Sequence, residues 1–170
     1  MSSIETTSVS NFMTRDVKTE KEDQNLITAC RIMHENNIGC VVIVSKSDSN
    51  SEKPIGIITE RDVVRLLGSL NPALLQTPLH NIMSKPLITI PSDSSFKDAI
   101  QTMQQKNIRR LVIVDKEKMI GIITDKDIFT TIMNNQDLIL SLLGDKLLIE
   151  PKTIYEQFSE YWFGDILHKR

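Results

Sequence analysis

Apolar positions along the chain change period in a fixed order, and they do so twice. Leu26, Ala29, Ile32 and Met33 fall at helical spacing, as do Phe96, Ala99, Ile100 and Met103, and they predict helices over about 25–36 and 95–106. Asp93 and Ser94 are the expected caps of the second helix. Cys40-Val41-Val42-Ile43-Val44 and Leu111-Val112-Ile113-Val114 are continuous β-branched runs of strand length, the pattern of strands buried on both faces. Each is followed by a Gly-Ile-Ile strand ending at a Thr, where another helix begins. Ahead of the first helices stand short extended segments, Val17-Lys18-Thr19 and Leu87-Ile88-Thr89-Ile90; the second is bracketed by Pro86 and Pro91, neither of which suits a helix interior. The order strand, helix, strand, strand, helix is therefore predicted twice.

The residues repeat along with the pattern. Asn11-Phe12-Met13-Thr14 returns as Asn81-Ile82-Met83-Ser84, and Ile55-Gly56-Ile57-Ile58-Thr59-Glu60-Arg61-Asp62 returns as Ile120-Gly121-Ile122-Ile123-Thr124-Asp125-Lys126-Asp127. Ala29, Met33, Asn37, Ile38 and Val42 recur 70 positions on as Ala99, Met103, Asn107, Ile108 and Val112; the offset falls to 65 between Ile55 and Ile120 because the polar turn 45–53 is longer than 115–118. Such a length change is what a surface turn tolerates. A unit of roughly sixty residues buries too little surface to be more than marginally stable alone, so the copies are expected to pack against each other with their interface at the centre of the molecule. The expected organisation is an N-terminal tail 1–8, repeat 9–68, linker 69–78, repeat 79–133 and a helical C-terminal extension 134–170. The fold class is α/β, two repeats related by pseudo-twofold symmetry.

Composition narrows the function by exclusion. The 170 residues carry a formal charge of −2 and are 40% hydrophobic and 25% charged, a soluble globular balance without the global field that recruits nucleic acid or anionic lipid. Neither nucleic acid nor a membrane is an expected partner. Cys30 and Cys40 lack CxxC spacing and read as small core side chains of a reducing compartment. His34, His80 and His168 are scattered, and no metal ligand set is visible. The longest apolar run, 38–44, is far too short for a bilayer, and the first ten residues lack the apolar centre of a signal peptide, so the cytoplasm is the expected location. No nucleophile with an adjacent base and no Gly-rich phosphate loop is present, which argues against an enzyme. Gly56 and Gly121 read as positions that let neighbouring strands approach closely.

The candidate chemistry is Gly-Ile-Ile-Thr-x-x-Asp, twice, at a strand exit and a helix start. Thr-x-x-Asp is close to a capping box, and helix initiation alone could account for it. The same place can also grip a nucleotide. A helix N-terminus offers unpaired amides and a positive dipole end to a phosphate, the Thr hydroxyl adds a donor, and an Asp one turn in can accept two ribose hydroxyls. Arg109 and Arg110, just before the second buried strand, supply guanidinium groups suited to phosphate oxygens.

With these motifs, each copy resembles a CBS domain and the pair resembles a Bateman module, over about 9–133. The resemblance implies two clefts that bind AMP, ADP or ATP, or a related adenosyl compound such as S-adenosylmethionine or NAD, as effector, with no cofactor required. It implies that Thr touches phosphate, that Asp holds ribose, and that the adenine rests on main-chain groups of the first strand. Carried onto this chain, that gives Thr124 and Asp127 with Ile88, Thr89 and Ile90 for one cleft, and Thr59 and Asp62 with Val17 to Thr19 for the other. Arg109 and Arg110 fill the place of phosphate-facing basic residues in the second copy, where the first has Gly39 and Cys40, so the Thr124 cleft is expected to favour the phosphorylated ligand and the Thr59 cleft to be weak, empty or selective for a less charged compound. The resemblance further implies a homodimer and a regulatory, non-catalytic role signalling to a separate effector protein. The alternative is an interaction module working through the aromatic tail, with Phe158, Tyr161, Trp162 and Phe163 as anchors.

Overall fold

The computed structural model describes residues 7–45, 53–116 and 118–134. The chain divides into a unit Met1–Thr131 and a second unit, Ile132–Arg170. The predicted helical extension and the anchors Phe158, Tyr161, Trp162 and Phe163 lie outside the described residues.

Both repeats form the predicted order of elements. The first contains β1 (Thr19–Lys21), α1 (Leu26–Asn36), β2 (Cys40–Val44), β3 (Pro54–Thr59) and α2 (Glu60–Leu67); the second contains β4 (Thr89–Pro91), α3 (Phe96–Lys106), β5 (Arg110–Asp115), β6 (Lys118–Thr124) and α4 (Asp125–Met133). In each three-stranded sheet the middle strand is parallel to the first and antiparallel to the third. The first strands start two residues later than predicted, because their ladders begin where Thr19 meets Val42 and Thr89 meets Val112.

Local chemistry sets the helix ends. Asn25 caps α1 by accepting from the Thr28 amide at 3.1 Å. Ser95 and Asp98 form a capping box on α3, so the cap lies one residue beyond the expected Asp93 and Ser94. Both helices stop on an asparagine in the left-handed region, Asn37 at φ 52° and Asn107 at φ 51°. Asparagine tolerates that conformation better than most L residues, which explains why Asn-Ile recurs at the same point of each repeat.

What joins the repeats is an exchange of their leading segments. Thr14, in the leading segment of the first repeat, exchanges two backbone hydrogen bonds with Ile122 on β6 of the second, at 2.8 and 2.9 Å. Ser84, in the leading segment of the second repeat, does the same with Ile57 on β3 of the first, at 2.9 and 3.1 Å. Further bonds repeat the swap: Leu79 and His80 donate to Gln24 and Glu22, while Val9 donates to Ser94. Leu79 and Met83 consequently fill the core of the first repeat beside Leu26, Ala29, Val41, Ile43 and Ile58. Val42, Val112 and Ile122 form a buried cluster drawn from both repeats, with Val17, Ile57 and Leu87 packed against it. Burying each such side chain is worth about 1.5–3 kcal/mol, and these contacts exist only while the repeats are together.

Gly56 and Gly121 sit where the exchanged segments cross the third strands. A Cβ at Gly121 would run into the Met13 thioether, with Met13 Cγ at 2.8 Å and the Thr14 carbonyl oxygen at 3.0 Å; Met83 and the Ser84 carbonyl crowd Gly56 in the same way. Replacing Gly121→Ala should therefore lower the unfolding free energy by about 1–3 kcal/mol in a urea titration. Adding Met13→Ala should recover part of that loss and leave the part due to the Thr14 carbonyl; no recovery would contradict the crossing as the cause.

Candidate functional site

The buried third strands deliver both Thr-x-x-Asp motifs to helix starts. Thr59 is the N-cap of α2: its hydroxyl accepts from the Asp62 amide at 3.3 Å, and Asp62 Oδ2 accepts from the Thr59 amide at 2.9 Å and from its hydroxyl at 2.7 Å. Thr124 and Asp127 make the same three bonds at the start of α4, at 3.3, 2.9 and 2.7 Å. Helix capping is thus present in both copies. It uses one carboxylate oxygen of each aspartate, and the other oxygens have different fates. Asp62 Oδ1 accepts from Arg65 Nη2 at 2.9 Å and from the Ser84 hydroxyl at 3.2 Å. Asp127 Oδ1 has no hydrogen-bond donor among the described residues. Asp62 is only 6% exposed, whereas Asp127 is half-buried.

A cleft of about 290 Å³ opens over Thr59 and Asp62. This is near the lower end of the range for small-molecule sites. Its apolar wall is Ile57, Leu87, Ile88, Ile108 and Val112, and its polar groups include Thr59, Asp62, Ser84 and four guanidinium groups, those of Arg61, Arg65, Arg109 and Arg110. Residues of both repeats therefore build it. On the sequence, Thr59 and Asp62 are expected to face 17–19 and the arginines to face Thr124, whereas the cleft over Thr59 is lined by Arg109 and Arg110 and by none of 17–19. The reason is the exchanged segment: by bonding to Ile57, Ser84 draws Leu87 and Ile88 of the second repeat onto the first repeat's third strand.

Arg110 shows the crossing at side-chain level. Its backbone lies opposite Thr124 in the β5–β6 ladder, but its guanidinium reaches Gly39 of the other repeat, where a Cβ would lie 2.7 Å from Nη2 and 2.9 Å from a Glu60 carboxylate oxygen. Gly39 is thus the position that leaves room for Arg110. Burial pushes the neighbouring Cys40 thiol up from its ordinary pKa; the Arg110 charge and hydrogen bond pull it down, and Glu60 pushes it up. Arg109 lies 3.9 Å from Asp125, an exposed and loose ion pair.

The other sequence-derived candidates stand elsewhere. Thr89 is exposed on β4, and Ile90 is buried beneath it; neither is among the residues lining the cleft. Val17 packs on the central cluster, and Thr19 pairs with Val42 on β1. Sequence reasoning missed Arg61, Arg65 and Ser84. The Asp62–Arg65 spacing of three on a helix was the available signal for one of them; Ser84 had none, because its contact depends on the segment exchange.

A family model described as "CBS domain" matches residues 9–69 and again 79–134. The chain belongs to the CBS-domain family. Over 122 residues it is 41% identical to an uncharacterised protein of Methanopyrus kandleri, a match covering 71% of this chain and 60% of that protein. It thus spans less than two thirds of that relative's length. It is 32% identical over 129 residues to the CBS domain-containing protein YhcV of Bacillus subtilis, covering 76% of this chain and 88% of the other. Among solved structures, a CBS domain protein of Pyrobaculum aerophilum complexed with AMP superposes with a TM-score of 0.68 at 21% identity, covering 80% of this chain and 98% of that one. At that identity the likeness establishes the CBS-pair fold. No described helix is long and apolar enough to cross a membrane.

Proposed function

We propose that this CBS pair is a non-catalytic sensor that binds an adenine nucleotide or related adenosyl ligand and reports its presence to a separate partner protein in the cytoplasm. The observation that carries this reading is the Thr59 cleft, which joins an aliphatic wall, a helix N-terminus with a hydroxyl, a carboxylate and four guanidinium groups. Ile88 and Ile108 offer a surface for a base, Asp62 an acceptor for a ribose diol, and the α2 N-terminus that Thr59 caps, with Arg109 and Arg110, a positive setting for phosphate. Thr124 and Asp127 repeat the polar part of this arrangement on the second repeat. The AMP bound by the Pyrobaculum aerophilum protein of the same fold agrees with the ligand class.

Thermal unfolding against AMP, ADP, ATP, NAD and S-adenosylmethionine tests the reading. A ligand at a hundred times its dissociation constant should add about 2.7 kcal/mol, a rise of roughly 5–11 °C for a chain of this size, and the rise should shrink in Arg110→Ala. No shift with any compound would overturn it.

Assembly as a homodimer belongs to the same proposal. Val64 on α2 and Phe129 on α4 occupy equivalent positions, are 70% and 38% exposed, and with Leu67 at 52% leave apolar side chains facing outward. Sedimentation velocity at micromolar concentration should give a dimer that Val64→Asp with Phe129→Asp converts to monomer; a monomeric wild type would remove this part.

A further inference from the structure

The two aspartates have neighbours of like charge and character up to the second residue after each, Glu60-Arg61 matching Asp125-Lys126 and Val63-Val64 matching Ile128-Phe129, and then diverge. Asp62 is followed one turn later by Arg65, whereas the position equivalent to Arg65 in the second repeat is Thr130. A carboxylate offers about four acceptor positions. At Asp62 all four are taken: Oδ2 by the Thr59 amide and hydroxyl, Oδ1 by Arg65 and the Ser84 hydroxyl. A ribose diol has no place on this carboxylate while Arg65 holds Oδ1.

We infer that Arg65 is a specificity-determining residue which makes the Thr59 cleft selective for a nucleoside polyphosphate over the monophosphate or the uncharged nucleoside. The inference rests on the adenine-nucleotide reading of that cleft. Arg65 is free to move, since its side chain is 70% exposed and its pair with Asp62 is anchored only at the buried end. Moving it off Asp62 breaks a charge-assisted hydrogen bond, and a neutral nucleoside gives the guanidinium no anion in exchange. A phosphate chain does, because a guanidinium takes two phosphate oxygens in a bidentate pair. The ligand that opens the ribose acceptor is thus one whose own charge draws Arg65 away.

The rest of the cleft points the same way. Arg61, Arg109 and Arg110 add three more guanidinium groups, and Asp62 is the only carboxylate among the lining residues. A single phosphate satisfies one or two of these cations; a triphosphate spans more of them. S-adenosylmethionine, which carries a sulfonium cation, is disfavoured by the same charges.

Calorimetric titration of the full chain with adenosine, AMP and ATP at fixed ionic strength, in wild type, Arg65→Ala and Arg65→Lys, separates the outcomes. Wild type should bind ATP at least about tenfold more tightly than AMP. Arg65→Ala should weaken ATP about tenfold while strengthening adenosine, because Oδ1 of Asp62 is then released, and Arg65→Lys should restore part of the ATP affinity. Equal affinities for AMP and ATP in wild type, or an Arg65→Ala variant that leaves ATP unchanged or weakens adenosine and ATP alike, would overturn the inference while the nucleotide reading stands. Binding of none of the three by wild type removes both. Arg65 is exposed and outside the core, so circular dichroism of the variants should match wild type.

Discussion

Four backbone hydrogen bonds, two between Thr14 and Ile122 and two between Ser84 and Ile57, tie each repeat's leading segment to the other repeat's third strand. Most of the molecule's organisation follows from them. They bring Leu79 and Met83 into the first repeat's core, and they place Met13 and Met83 over Gly121 and Gly56, where a Cβ would crowd the thioether and a backbone carbonyl. They also carry Leu87 and Ile88 to the mouth of the Thr59 motif. The cleft therefore cannot be assigned to one repeat. Under the proposed reading, a ligand held there touches elements of both, so its binding free energy depends on their relative placement, which is the coupling a sensor requires.

Small differences between the repeats give the two Thr-x-x-Asp motifs unequal surroundings. The capping geometry of Thr59–Asp62 and Thr124–Asp127 agrees bond by bond. Differences lie one turn further on and across the interface: Arg65 against Thr130, and Arg110 reaching towards Gly39. The cap engages Oδ2 and leaves Oδ1 as the oxygen whose partners distinguish the repeats.

Much of this was legible in the residues. Helical spacing around Ala29 and Ala99, the β-branched runs and the doubled Gly-Ile-Ile-Thr-x-x-Asp gave the element order and the family resemblance, because these signals are local. The cap of α3 falls at Ser95, one residue beyond the expected Asp93 and Ser94, which shows the limit of local reading where polar residues of capping type stand side by side. The composition of the cleft was not legible. Assigning Arg109 and Arg110 to Thr124 followed from their place just before the second repeat's buried strand and from the family resemblance; the backbone ladder does set Arg110 opposite Thr124, but the side chain of Arg110 points across the interface and the Ser84 segment changes sides. Contacts of that kind depend on how two repeats meet, and no periodicity within either one encodes them.

Hydrogen exchange with and without saturating ATP tests the composite cleft most directly. Slower exchange appearing together at 57–65, 84–88 and 108–112, with one shared ligand dependence, is the predicted result, since these segments come from both repeats and line one cavity. Protection confined to 87–90 and 120–127, within the second repeat alone, would contradict it.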